Sequence, residues 1–168
     1  MGEGAASKTP KTGEPHTEYQ RLIQLAVGIA YKTPRKAART TLFTPFQRMG
    51  RVRDRVLLWG AENDEISQVC MTAYLHCIFD HFVIGPRALR EQGVPGDVVD
   101  ALKLLYWRKD RQTFKEHLEA VRSNDMACVV KTAVILEDLS AGNVPVKRVL
   151  ALARGLIYLL EDPEGGSV

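Results

Sequence analysis

Residues Tyr74-Leu75-His76-Cys77-Ile78-Phe79-Asp80-His81-Phe82 lie near the middle of the chain, at the end of an apolar run with helical spacing. His76 and Asp80 are four residues apart, and so are Cys77 and His81. On a continuous helix, residues i and i+4 share a face. One turn therefore carries two pairs of groups able to ligate a metal or move a proton. Adjacent residues point in different directions on a helix, so His76 and Cys77 should diverge. Two readings stay open. A rebuilt metal site could draw on His76, Cys77, Asp80, His81, Glu137 and Asp138, and His with Cys would favour zinc. Alternatively His76 is a core histidine bonded to a neighbour, and Cys77 is a small buried hydrophobe.

Outward from this stretch the pattern is helical throughout. A helix capped by Asn63 or Asp64 should run to about Phe82, ended by Gly85-Pro86. Before it, a helix from about Thr17 to Tyr31 has Leu22, Leu25, Ala26 and Ile29 as its apolar stripe. A second spans roughly 45–59 with Pro45 in its first turn. After it come helices at 86–92, from Pro95 to about Trp107, at 111–122, from the Asn124 or Asp125 cap to about Leu139, and at 145–161. No strand alternation or internal repeat competes. The expectation is an all-α single domain, a bundle of about seven or eight helices over 16–162. Residues 1–15 offer almost nothing to bury and read as a disordered tail, and 163–168 as a flexible C-terminus.

With 168 residues, 45% hydrophobic and 26% charged, the chain has globular composition and enough core for one domain. A net charge of +3 is too small to argue for nucleic acid by itself. Cys70, Cys77 and Cys128 have no CxxC spacing, and no signal peptide is visible, so reduced thiols in a cytoplasm are expected. No apolar run reaches the ~20 residues of a membrane span. The most apolar segment, 149–160, is interrupted by Arg154 and Gly155.

Charge is concentrated at 32–55, where eight Lys and Arg residues face one acid, Asp54. Such a stretch can hold an anionic ligand or nucleic acid, or it can be a solvated basic face. Trp59, Tyr106 and Trp107 read as core or groove-edge aromatics. Ser67, Thr72 and Ser140 have no triad-like setting, and no glycine-rich phosphate loop, DNA-binding helix signature or coiled coil is present.

Several ordered pieces over roughly 18–142 resemble one family. Leu75-His76-Cys77-Ile78-Phe79-Asp80-His81 is similar to L-H-D-x-x-E-D, and 88–102, with Gly93 and Val98-Val99, is similar to L-x-x-x-G-[FV]-x-x-x-V-V-x-A-[VL]. Residues 114–118 take the place of Y-x-x-Y-[IL], and 130–139, with Val130-Lys131, are similar to V-K-L-A-D-L-x-D-N. The chain thus resembles the HD-domain phosphohydrolases, in the (p)ppGpp hydrolase-like branch related to RelA/SpoT proteins.

The resemblance implies an HD-domain-like bundle and a cleft that in the family holds a divalent metal, which makes a hydroxide from water and polarises phosphate. Of the five expected ligand positions only His76 is kept. Tyr31, Thr44, Cys77 and Val134 stand at the other four. Val has no lone pair, and Thr and Tyr are poor neutral ligands. Asp80-His81 remains where the family has its catalytic carboxylate pair. Arg35, Lys36, Arg39, Arg48, Arg51 and Lys131 correspond to basic positions that could hold phosphates, with Lys131 alternatively paired to Glu137 or Asp138. The resemblance therefore implies a catalytically inactive pseudo-hydrolase without a cofactor. The implied role is regulatory, by binding an alarmone-like nucleotide or a protein partner. One competing expectation is a divergent hydrolase with Mn or Zn at His76. Another is a nucleic-acid-binding accessory protein using 32–55.

Overall fold

The computed structural model describes residues 15–36, 45–60, 66–142 and 144–161. The expectations for Arg39, Thr44, the Asn63 or Asp64 cap, residues 1–14 and residues 162–168 lie outside them. The described residues form nine helical segments, the fourth a single turn appended to the third, and their only ladder-type pairing is one isolated bridge. The fold is an all-α bundle, as the periodicity requires.

Helix α1 (Pro15–Lys32) begins two residues before the expected Thr17 cap, at a proline whose fixed φ suits a first helical position. It buries Leu22, Ala26, Ile29 and Ala30. Helix α2 (Pro45–Gly60) buries Met49, Val52 and Val56 at helical spacing and turns its arginines outward or onto neighbours. Helix α3 (Ile66–Leu75) is the centre of the molecule: every residue from Cys70 to Leu75 is buried. It packs between α1 and α2 and also meets α6 (Gly96–Leu105) and α8 (Asp125–Ser140).

The long helix expected to reach Phe82 is instead broken. Helix α3 stops at Leu75, His76 and Cys77 form a turn, and α4 (Ile78–His81) follows. The break has a local cause. His76 Nδ1 bonds the Ala73 carbonyl at 2.8 Å, giving that carbonyl a side-chain donor, and Cys77 sits at φ −109°, ψ 18°, outside helical geometry. After α4 the chain runs beside the end of α1. Lys36 N donates to His81 O and Val83 N to Pro34 O, both at 2.8 Å, and Lys36 Nζ reaches the Phe79 carbonyl at 2.5 Å.

Helix α5 (Pro86–Glu91) ends in a turn where Gly93 takes φ 90°, a conformation that favours glycine. Helix α6 ends two residues earlier than the sequence suggests, because Tyr106 is extended. Helix α7 (Phe114–Arg122) starts late for an equally specific reason: Thr113 and Glu116 form a reciprocal capping box. Asn124 caps α8 by accepting from Ala127 N at 2.8 Å. Helix α9 (Val146–Leu160) lies against α7 and α8. No described helix is long and apolar enough to cross a membrane.

Candidate functional site

The His76-Cys77 turn lies at the wall of a cleft. A half-open cleft of about 490 Å³ is lined by His76 and Cys77 of the turn, Asp80 and His81 of α4, Arg48 of α2, and Lys131, Val134 and Asp138 of α8. His76 and Cys77 both border this cleft, from a turn that is not helical. Lys109, Arg148, Trp107, Phe114, Ala151 and Leu152 are among the residues that complete the wall.

Of the positions singled out from sequence, Tyr31, Arg35, Lys36 and Arg51 do not line it. Tyr31 is 69% exposed and stacks on Phe46 with ring centroids 4.6 Å apart. The Arg35 guanidinium lies 4.4 Å from the centre of the same Phe46 ring. Arg51 pairs with Glu137, which Arg55 also reaches at 3.2 Å. Several residues of the basic stretch thus contact neighbouring side chains at the surface, and Arg48 is its contribution to the cleft.

Four cations (Arg48, Lys109, Lys131, Arg148) face two carboxylates (Asp80, Asp138) across this wall. Asp138 lies 2.7 Å from Arg48 and 3.7 Å from Arg148, tying α8 to α2 and α9. The expected partnership of Lys131 with Glu137 or Asp138 does not form, since arginines occupy both carboxylates. Lys131 instead lies with its ammonium 5.9 Å from the Phe114 ring centre. Desolvation pushes its pKa down to about 8, Asp138 opposes that shift, and Arg48 adds to it. Lys109 sits 5.1 Å from the Trp107 ring centre.

His76 is 8% exposed. Its Nδ1 faces a carbonyl, which can only accept, so that nitrogen carries the proton and Nε2 presents a lone pair. Nε2 is buried and has no hydrogen-bond partner among the described residues. Burial, and then Arg48, depress the ring's pKa to about 3, so it is neutral at ordinary pH. Burial likewise holds the Cys77 thiol protonated, its pKa pushed up to about 12. Partial desolvation raises Asp80 and lowers His81, each partly opposed by the other.

His76 Nε2 has the orientation of a ligand, but among the described residues no three His, Cys, Asp or Glu side chains are grouped to hold a metal. Val134, buried in the same wall, has no lone pair to offer. What the cleft offers is a cationic rim, an aromatic wall and a neutral acceptor.

Lys109 and Arg148 had no motif to mark them, and Phe114 was marked only as the first residue of the segment in place of Y-x-x-Y-[IL]. They come from three separate elements, and only the packing of α9 against α7 and α8 gathers them. Trp107 reads from sequence as a core or groove-edge aromatic. No family model matches the chain, and no curated protein does.

Proposed function

We propose that the chain is an HD-domain-like binding protein without hydrolytic activity, whose cleft takes a phosphorylated small ligand of nucleotide type and acts in regulation. The observation that carries this reading is the convergence of Arg48, Lys109, Lys131 and Arg148 on one concave wall against only two carboxylates. Guanidinium and ammonium groups at a partly desolvated wall bind phosphate oxygens through charge-assisted bonds. Lys131 supports it further, because a cation held at a cost among apolar groups regains a counter-charge when phosphate arrives. The cleft volume suits a ligand of nucleotide size.

Nucleic acid is the weaker fit for the described part of the basic stretch. Arg51 and Arg55 are turned onto Glu137, and Arg53 onto Asp54.

Calorimetric titration of the full chain with guanine and adenine di- and triphosphates and with pyrophosphate tests the reading. Binding in the micromolar range is expected, weakened at least tenfold in the Arg48→Ala, Lys131→Met double variant. Absence of binding at millimolar ligand sinks it. Release of phosphate from a nucleotide in the presence of Mn or Zn, lost in His76→Ala, would replace it with a hydrolase.

A further inference from the structure

Phosphate binding at the rim leaves one atom of the cleft unused. His76 Nε2 is a buried acceptor without a donor among the described residues, in a ring that lines the cleft. The opposite edge of the ring is tethered to its own helix through Nδ1–H and the Ala73 carbonyl. That tether fixes both the tautomer and the ring plane, and it turns the Nε2 edge away from the α3 backbone. An unpaired buried acceptor is costly, and ionised phosphate oxygens are themselves acceptors, so they cannot relieve it. Neither Arg48 nor Lys131 donates to it in the structure, although both are near enough to act on its charge.

We propose that the ligand enters this cleft polar head first and parts the side chains that cover His76, an N–H of its base donating to Nε2 while its phosphates stay at Arg48, Lys109, Lys131 and Arg148. The proposal rests on the phosphorylated-ligand reading and adds a direction and a selectivity to it. A head group with a donor completes the His76 hydrogen bond. A head group of the same shape without one leaves Nε2 orphaned, and a site built to bond a donor rejects such an analogue. The cleft therefore selects for bases bearing N–H groups over donor-free bases, and for nucleotides over bare polyphosphate.

The test compares adenosine diphosphate, guanosine diphosphate, purine riboside diphosphate (whose base has no N–H) and pyrophosphate on the full chain. At least one of the two donor-bearing nucleotides is expected to bind about tenfold or more tightly than the purine riboside compound. His76→Phe, which keeps a planar ring but has no acceptor, should reduce that ratio below about twofold by weakening only the donor-bearing ligand. Independently of any variant, the Nε2 nitrogen resonance of His76 should move upfield with the donor-bearing nucleotide and stay in place with pyrophosphate. Equal affinities for all four ligands, or a ratio that survives in His76→Phe, would overturn the inference while leaving phosphate binding intact. No binding of any ligand, pyrophosphate included, removes both.

Discussion

The Arg48 guanidinium lies 2.7 Å from the Asp138 carboxylate, joining α2 to α8 across the wall of the cleft. Asp138 also faces Arg148 of α9 at 3.7 Å. One carboxylate thus restrains two of the four cations on which the proposed phosphate site depends. An incoming phosphate competes with Asp138 for them. Asp138→Asn should raise phosphate affinity, by roughly tenfold for one released charge near a partly desolvated site. The same change should cost about 1 kcal/mol of stability, because the Arg48 side chain is a third exposed and solvent screens the pair. Titration with pyrophosphate and urea unfolding of the same variant check both signs. Weaker binding would mean that Asp138 positions Arg48 for the ligand instead of competing with it.

Two buried histidines should make the fold sensitive to mild acid. His76 and His117 are each held neutral by burial, with pKa values near 3 against an ordinary 6.5. Arg48, Lys131 and His81 face His76, and Lys131 faces His117, so their positive charges add to the depression. The unfolded chain then binds more protons between pH 6.5 and 3, and stability must fall as pH drops through that window. Each ring withdraws about 2 kcal/mol by pH 5 if it stays neutral in the fold. His81, also lowered, adds to the slope, and Asp80, raised by burial, opposes it near the lower end. Urea midpoints at pH 7, 6 and 5 should decline steadily. A flat profile would show that the rings are protonated in the folded protein.

How far these features could be read from sequence follows from what produces them. The 3.6-residue spacing of Leu22, Ala26 and Ile29, the prolines at first helical positions and the Asn124 cap are local, and they give the helices to within a few residues. The turn at His76-Cys77 was not legible, because its cause is a side-chain bond from His76 to Ala73 inside a run that has helical spacing throughout. The cleft was legible in part. His76, Cys77, Asp80, His81, Lys131 and Val134 stand in two short segments, and a motif comparison can collect them. Arg148 and Phe114 reach the cleft only through the docking of α9 and α7, a contact between elements with no trace in local spacing.

Lys131 should separate binding from stability. Its ammonium is held among Phe114 and other packed groups without an ion pair among the described residues, and burial lowers its pKa to about 8. Lys131→Met removes a desolvated charge and keeps a similar shape, so the variant should be more stable at pH 7, by about 1–2 kcal/mol. Its affinity for pyrophosphate should fall at least tenfold. In the unaltered protein the affinity should also decline as pH rises through about 8, where Lys131 of the free cleft loses its proton. In the variant that decline should vanish. Paired thermal melts and titrations at pH 7 and 9 decide the matter, and a less stable Lys131→Met protein would assign the lysine a structural role.

Gly155 is where α9 rests closely on Leu118 and Phe114 of α7. A Cβ built there would lie 3.1 Å from Leu118 Cδ1, 3.1 Å from Phe114 Cε1 and 3.2 Å from Phe114 Cζ. Leu118 is buried and has little room to move, whereas Phe114 is half-buried and borders the cleft. Alanine gains about 1 kcal/mol of helix propensity over glycine, and the few tenths of an ångström its methyl demands must come mainly from the Phe114 ring. Gly155→Ala should therefore be close to neutral in stability. Gly155→Val adds two more methyl groups against Leu118 and should cost roughly 1–3 kcal/mol by overpacking. Both changes should disturb the cleft, because Phe114 and Trp107 have ring centroids 5.3 Å apart. In a Trp59→Phe background, Trp107 fluorescence reports that displacement. Unchanged emission in Gly155→Val, with stability intact, would mean that α9 does not rest on α7 at this distance in solution.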